Sequence, residues 1–404
     1  MPSDSTHKIN VTTAIIIGMN AMIGAGIFSL TCALSSQVGP AGILTYIFSF
    51  AAIWFMAQSL ARVAYLYPQE GSFYTYSKQW GGHKLGLLAA GAYFVGPLIA
   101  MGLLCKITGV YLHNLIPSIS ANTLGLMVLC ILTIGNIMGL VLSQLGQYIL
   151  IVCTVFPLLA IIIMCLSKIN VSNLLPFMPY GPLSIFTTTK IAVFGFFGFE
   201  CTASLFNVLE NPEKNISKAL TGSLLIVGII YFLFISSMIL SIPMSVFTSN
   251  PNITIPDALQ TIFPHNTFIL HCINISILSA MIGTIHSMIW TSSELMLSYY
   301  TFLDISFLKT PTFQKYITKK AIVLFVSFVI LTSYITIKNY DVFFSLTAIT
   351  MLFAIITSII SLLFLKSEWK SGQNITTILG LILGLIIFSV AVETLVENVI
   401  KIIG

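Results

Sequence analysis

The sequence predicts an all-α protein that crosses a membrane many times. Of its 404 residues, 57% are hydrophobic and 7% are charged, whereas soluble domains carry about 25% charged residues. Many of its apolar runs are long enough to cross a bilayer, which takes roughly 20 residues in a helix. The sequence lacks the alternating pattern, roughly ten residues per strand, of an outer-membrane barrel. These observations predict a polytopic helical membrane protein.

Apolar runs separated by turn residues and charges predict about eleven transmembrane helices. The predicted spans cover residues 11–36, 41–66, 85–116, 121–142, 147–167, 185–209, 217–242, 266–298, 320–337, 341–365 and 375–399. No low-complexity tract or soluble domain interrupts them, so the sequence predicts a single transmembrane domain over residues 1–404.

The distribution of basic residues predicts a cytoplasmic N-terminus. With the N-terminus inside, twelve basic residues fall on the cytoplasmic side: Lys8, Arg62, Lys78, Lys84, Lys214, Lys218, Lys309, Lys315, Lys319, Lys320, Lys366 and Lys370. Four fall outside: Lys168, Lys190, Lys338 and Lys401. Because cytoplasmic loops are enriched in lysine and arginine, this bias predicts a multi-pass protein of the cytoplasmic (inner or plasma) membrane. No basic run resembles a nucleic-acid patch, so no nucleic-acid partner is predicted.

Two of the predicted spans are interrupted by glycine in mid-membrane. Gly24 and Gly26 interrupt the first span, and Gly195 and Gly198 interrupt the sixth. Glycine makes a helix easy to unwind, and unwound backbone in a bilayer is tolerated only where protein buries it or where it lines a cavity. Paired small residues also serve as close-packing faces between helices, but matching interruptions in two spans favour a binding site.

Each interrupted span begins a set of five spans. The first set covers about residues 11–167 and the second about 185–365, and one extra helix follows at about 375–399. Because each set has an odd number of spans, the second is inverted relative to the first. Broken helices at matching places in two inverted repeats are typical of secondary transporters, whose substrate site lies between them.

Glu200 is a carboxylate placed directly after the interruption of the sixth span. A carboxylate at membrane depth costs at least about 2.5 kcal/mol on insertion scales. Its candidate roles are proton carrier, hydrogen-bonding group of a gate, or partner of a cationic substrate. The structural alternative is a protonated acid that is hydrogen-bonded to a neighbouring helix.

Other polar residues within the spans point to a function less specifically than Glu200 does. Lys106 is interpreted as a cation that reaches toward the outer surface, and His271 and His286 as core histidines. The seven cysteines form no CxxC pair, so no metal site and no other cofactor is predicted.

Five segments carry a resemblance to a known family. They are the IGAGIF run at residues 23–28, Val38-Gly39-Pro40-Ala41, the loop at residues 67–76, the GFFGFE run at residues 195–200 and the segment at residues 210–215. In this order they resemble the permeases of the amino acid–polyamine–organocation (APC) superfamily. The resemblance covers nearly the whole chain, and it implies two inverted five-helix repeats and transport of amino acids or related amines.

The resemblance also implies roles for individual residues. Ile23, Gly24, Ala25 and Gly26 are expected to meet the carboxylate of the substrate. Phe197, Gly198 and Phe199 are expected to offer backbone carbonyls to its amino group. Phe194 corresponds to a gating aromatic residue, and Glu200 to an acid found in antiporters of arginine and polyamines.

The sequence departs from the family pattern at three points. Ala25 stands where a hydroxyl residue is frequent, and the fifth span has no lysine, so the proton-coupled symport of relatives with a lysine there is not predicted. Sodium coupling would need oxygen ligands between the first and eighth spans, where Thr284 and Ser287 offer two hydroxyls. Two hydroxyls alone indicate a sodium site only weakly. The family commonly has twelve spans, and with eleven predicted here a homo-oligomer is possible but not decided by the sequence.

The predicted function is that of a secondary transporter that moves amino acids or related amines by alternating access. Its partners are a small-molecule substrate and the lipid bilayer, and exchange is favoured over symport because no dedicated site for a coupling cation stands out. The alternative is a transporter-like sensor or partner subunit that binds without flux. An enzyme is not predicted, because HExxH, GxSxG and clustered His/Asp constellations are absent.

Overall fold

The computed structural model describes residues 8–23, 26–67, 72–139, 144–204, 209–250, 253–302, 318–364 and 371–403. Within these ranges the chain is helical, and its single β-type pairing is an isolated bridge between Ile9 and Leu209. The all-α prediction is therefore confirmed.

The first part of the chain contains helices that coincide with the first five predicted spans. They are α1 (Val11–Met22), α2 (Gly26–Val38), α3 (Gly42–Leu66), α4 (Ser72–His113), α5 (Ala121–Ile137) and α6 (Gln144–Leu166), with a short 3₁₀ turn at Gly39–Ala41. We call the side of the bundle where α1 begins the N-terminal face, and the opposite side, where α2 ends, the far face.

The later part contains three short helices, then α10 and the remaining helices. They are α7 (Leu183–Thr187), α8 (Thr189–Phe194), α9 (Phe199–Ser204), α10 (Pro212–Ser241), α11 (Met244–Ser249), α12 (Ile255–Gln260), α13 (Thr267–Phe302), α14 (Lys319–Thr336), α15 (Tyr340–Ile360) and α16 (Ser371–Ile403). Short 3₁₀ turns lie at Val171–Leu174 and Ser361–Phe364.

Several of these helical stretches are long and apolar enough to cross a membrane. Among the described residues there are eight such stretches, and three shorter apolar helices lie at Ala121–Ile137, Ile151–Leu166 and Leu183–Phe194. The prediction of a multi-pass helical protein is confirmed at this level. The count of eleven spans and the inverted repeats stay predictions.

Two segments between the predicted spans are partly helical. The segment at residues 67–76 was predicted as a loop, but α4 begins at Ser72 and continues through a kink at Gly82, where φ is 71°. Glycine adopts this left-handed conformation without the steric cost that a Cβ imposes, so the helix before the predicted span joins the span itself. The proline-rich loop at residues 243–265 contains α11 and α12, and Pro256 lies in the first turn of α12, where its missing N–H costs nothing.

The packing of the helices brings the two interrupted spans together. Helix α1 packs against α9 and α10, and α2 packs against α8. Helix α4 packs against α5, α13, α14 and α15, and forms the other side of the space next to the interruptions. Helix α16 packs against α3 and α15 at the edge of the bundle.

Candidate functional site

The first interruption lies between α1 and α2. Helix α1 ends at Met22, and Ile23 follows with φ −78° and ψ 59°, which is outside the helical region. The carbonyl oxygen of Met22 accepts a hydrogen bond from the hydroxyl of Tyr231, at 2.9 Å. The last carbonyls of a helix have no partner within it, so a side chain from α10 stabilises this end. Gly24 and Ala25 lie outside the described residues.

The second interruption lies between α8 and α9. From Gly195 to Phe197 each N–H bonds the carbonyl three residues earlier, at 3.0–3.3 Å, as in a 3₁₀ turn rather than an α-helix. Gly198 then has φ +111°, a conformation that is accessible to glycine and strained for other residues. The backbone therefore leaves the α-helical path at the position that the sequence predicts.

Glu200 forms a hydrogen bond with the backbone of this second interruption. Its Oε2 accepts a hydrogen bond from the N–H of Gly198, at 2.9 Å, and its side chain is buried, with 4% of its surface exposed. This contact resembles the return bond of a capping box, in which an acid in the first helical turn reaches back to an N–H before the helix. The carboxylate also accepts a hydrogen bond from its own backbone N–H, so backbone groups at the start of α9 hold it in place.

The two interruptions are in direct backbone contact. A Cβ placed on Gly198 would lie 2.2 Å from the carbonyl oxygen of Ala21, and one placed on Gly26 would lie 3.4 Å from the Cα of Gly195. Only a residue without a side chain permits the first of these approaches. The contact joins the end of α1 to the start of α9.

A cavity of about 60 Å³ lies beside this contact. By the measure in which one water needs about 10–15 Å³, it has room for about four to six water-sized groups. Its lining residues come from α1, α2, α4, α13, α15 and the second interruption: Ala21, Met22, Gly26, Pro97, Ala100, Met101, Leu104, Phe194, Phe197, Gly198, Glu200, Thr284, Met288, Thr347 and Met351. The cavity is mostly apolar, with a few polar groups at the interruptions.

The structure brings five of the predicted site residues to the cavity. They are Gly26, Phe194, Phe197, Gly198 and Glu200. Ile23 and Phe199 are almost fully buried beside it and do not line it.

Thr347 is a lining residue that the sequence analysis did not single out. It is buried on α15, and its hydroxyl has no hydrogen-bond partner among the described residues. An unpaired buried hydroxyl is costly, so this group is a candidate to bind a solute. Thr284, which the sequence offered as a sodium ligand, also lines the cavity and donates to the carbonyl of Ala280 at 2.8 Å.

Two contacts close the cavity toward the far face. The ring of Phe194 meets the ring of Phe344 edge to face, with centroids 5.3 Å apart. One helical turn farther out, the amide of Gln37 on α2 donates to Asp341 Oδ1 on α15, at 3.1 Å. An aromatic layer and a polar layer therefore separate the cavity from this face.

Another set of contacts lies at the N-terminal face. The N–H of Glu210 donates to the carbonyl of Ile9, at 2.9 Å. Ala14, Leu209, Ile216 and Ala219 form a small apolar cluster at the same place. The start of α1 is therefore held against the start of α10.

Lys190 is a buried cation that the sequence analysis assigned to the outer side. It lies on α8 one turn before Phe194, and 5% of its surface is exposed. Its Nζ donates to the hydroxyl of Thr394 on α16, at 2.9 Å. In the part of the chain that the structure describes, no carboxylate lies within ion-pair distance of it. This bond attaches the half-helix that carries Phe194 to the last helix.

Lys106 lies close to an aromatic ring. Its Nζ is 4.6 Å from the centroid of the Tyr334 ring on α14, a distance that allows a cation–π interaction.

Comparison with known proteins identifies the family. The sequence profile described as amino acid permease matches residues 9–399. The chain belongs to the amino acid permease family. It is an integral, multi-pass membrane protein of a family of transporters.

The similar proteins are permeases and transporters. A gamma-aminobutyric acid permease of Escherichia coli is 24% identical over 307 residues, which are 70% of this chain and 63% of the relative. The branched-chain amino acid permease BcaP of Bacillus subtilis is 23% identical over 252 residues, which are 57% of this chain and 54% of the relative. The chain thus spans between about half and two thirds of these relatives.

One solved structure shares the fold over most of the chain. It is the substrate-bound, outward-open state of a Na⁺-coupled sialic acid symporter, with a TM-score of 0.60 and 13% identity. The match covers 96% of this chain and 90% of the symporter chain. It supports a transporter fold.

Replacing Gly198 by alanine tests the backbone contact between the interruptions. We expect Gly198→Ala to lower the free energy of unfolding by about 1–3 kcal/mol and to reduce uptake, because the new Cβ forces the two backbones apart. Gly195→Ala is the matched control, since the nearest atom to its Cβ would be the end of the Leu30 side chain, at 3.2 Å, and the other neighbours would lie at 3.5 Å. Thermal unfolding and uptake of labelled amino acids measure both effects, and equal tolerance of the two changes would contradict the contact.

A double-mutant cycle tests the bond between Lys190 and Thr394. We expect Thr394→Val to lower the free energy of unfolding by about 1–3 kcal/mol, because it leaves a buried ammonium without its acceptor. In a Lys190→Met background the same change should cost less than about 0.5 kcal/mol, since no charge is then left unpaired. Denaturant titration of the purified variants measures the four values, and additive effects would refute the bond.

Proposed function

We propose that this permease is a secondary transporter that moves amino acids or related amines across the membrane by alternating access. The observation that supports it best is the direct contact of two interrupted helices beside a cavity that contains Glu200. We place its N-terminus in the cytoplasm, and we divide its spans into two inverted five-helix repeats followed by one extra helix.

The substrate site that we propose uses backbone groups at both interruptions. The carboxylate of an amino acid would meet the segment from Ile23 to Gly26, where α2 begins, because the N-terminal end of a helix favours negative charge. The amino group would meet the carbonyls of Phe197, Gly198 and Phe199. The carboxylate of Glu200, which lines the cavity, is a further acceptor for it.

Alternating access would open one face of the bundle at a time. Separate contacts hold the two faces: Phe194 with Phe344 and Gln37 with Asp341 at the far face, and Ile9 with Glu210 at the N-terminal face. The cavity of about 60 Å³ is small for most amino acids, so binding would require one of these sets to separate. With the N-terminus in the cytoplasm, the far face is the outer one.

Exchange is the transport mode that we favour over symport. The fifth span has no lysine that would carry a coupling proton, and the side-chain oxygen atoms that the sequence offers for sodium are the hydroxyls of Thr284 and Ser287. A preloaded vesicle would therefore take up external substrate faster than an empty one.

Reconstitution tests the proposal directly. Proteoliposomes that contain the permease should accumulate at least one labelled amino acid or amine faster than empty liposomes, and internal substrate should accelerate uptake. Binding of a labelled amino acid without flux would favour the alternative, a sensor or partner subunit. A complete panel with neither binding nor flux would refute the site.

The substitution Glu200→Gln separates the charge of this residue from its packing. Glutamine keeps an acceptor for the N–H of Gly198, so the fold should persist. Uptake should fall by about tenfold or change its dependence on pH, because a charged hydrogen bond contributes roughly 1.5–3 kcal/mol. Glu393→Gln is the matched control, since Glu393 is exposed on α16. Equal uptake and equal pH profiles in both variants would remove Glu200 from the mechanism.

A further inference from the structure

A second, larger cavity lies at the far face, away from the interrupted helices. Its volume is about 370 Å³, and its walls come from the end of α4, from α12 and from the start of α13. Its polar lining residues are His113, Asn114, Asp257, Gln260, Thr267, His271 and Asn274. None of the residues that line this cavity lines the central one.

The elements around this cavity are fixed by hydrogen bonds. The N–H of Ile255 donates to the hydroxyl of Tyr111, at 3.2 Å, which docks α12 on α4. The side chain of Asn114 donates to Asp257 Oδ2, at 2.8 Å, and the hydroxyl of Thr254 donates to the same oxygen, at 2.5 Å. The cavity therefore has a carboxylate in a defined position.

Asp257 has one oxygen available for a ligand. Oδ2 receives both hydrogen bonds, whereas no described residue donates to Oδ1. In the described part of the chain, no lysine or arginine side chain lies within 4 Å of this carboxylate. Asp257 is the one carboxylate among the described residues that line this cavity.

His113 supplies a second acceptor. Its Nδ1 lies 2.8 Å from the carbonyl oxygen of Ile119. Because a carbonyl only accepts, Nδ1 carries the hydrogen, and in the neutral ring Nε2 then carries the lone pair. The hydrogen bond thus fixes the tautomer of the ring.

Asn274 gives an independent indication of a ligand. Its side chain lines the cavity, only 3% of its surface is exposed, and Oδ1 has no hydrogen-bond partner among the described residues. A buried amide oxygen that lacks a partner costs about 1–3 kcal/mol. A rotation of the amide that turned this oxygen toward the cavity would let a donor there remove the cost.

We propose that this cavity binds a small solute through a primary ammonium group. An ammonium carries three N–H donors and one positive charge, which match Asp257 Oδ1, the Asn274 amide oxygen and the lone pair of His113. A metal ion fits less well, because the described residues contain no group of three His, Cys, Asp or Glu side chains that suits one. The site is separate from the central cavity and does not depend on the proposed transport mechanism.

Titration of the full-length permease in nanodiscs with ethanolamine tests this site, with saturation-transfer NMR as the readout. We expect saturable binding that weakens by about tenfold in Asp257→Asn and by roughly fivefold in Asn274→Leu, because each change removes one acceptor. Asn274→Leu leaves the bonds among Asn114, Thr254 and Asp257 intact, so it tests the site even if Asp257→Asn loosens α12. Tetramethylammonium, which has no N–H donor, should bind at least about tenfold more weakly than ethanolamine.

Two controls distinguish this site from other sources of signal. Glu393→Gln removes an exposed carboxylate on α16, which does not line this cavity. Glu200→Gln alters the central cavity. Both variants should keep the affinity for ethanolamine within about twofold. Loss of binding in Glu200→Gln with full binding in Asp257→Asn would assign the amine to the central site and overturn the proposal. Displacement of ethanolamine by magnesium, or equal affinity for tetramethylammonium, would also overturn it.

Discussion

The structure depends on one close approach, in which the peptide group after Ala21 lies against Gly198. A Cβ at position 198 would lie 2.2 Å from the carbonyl oxygen of Ala21, so the approach requires glycine. It brings together two helices that both lose their regular hydrogen bonds at this depth. Because unmet peptide groups in a bilayer cost several kcal/mol each, the interruptions need partners. Tyr231 provides one for the carbonyl of Met22, and Glu200 provides one for the N–H of Gly198.

These partners stabilise the two interruptions, where we propose the substrate site. The interruptions are held by side chains rather than by continuous helices, so peptide groups beside the cavity can exchange one partner for another. Phe194 connects the cavity to the far face: it lines the cavity, contacts Phe344, and lies one turn from Lys190, which bonds α16 through Thr394. Movement of the half-helix α8 would therefore change the cavity, the aromatic layer and the contact with the last helix together.

The sequence predicts the helical class and the positions of the interruptions because these depend on local patterns. Long apolar runs identify the helices, and glycines at 26, 195 and 198 mark the breaks. It does not predict Tyr231, Thr347 or the burial of Lys190, because each depends on contacts between helices distant in sequence. It also assigned residues 72–76 to a loop, since their polar character hides a helix that continues past the kink at Gly82. The roles of Gly24 and Ala25 stay predictions, because both lie outside the described residues.

An experimental structure of the permease with a transported amino acid tests the central claim most directly. The account predicts that the solute lies between the two interruptions, with its carboxylate against the start of α2 and its amino group near Gly198 and Glu200. Continuous helices through residues 22–26 and 194–199, or a solute bound elsewhere while this cavity holds none, would contradict it.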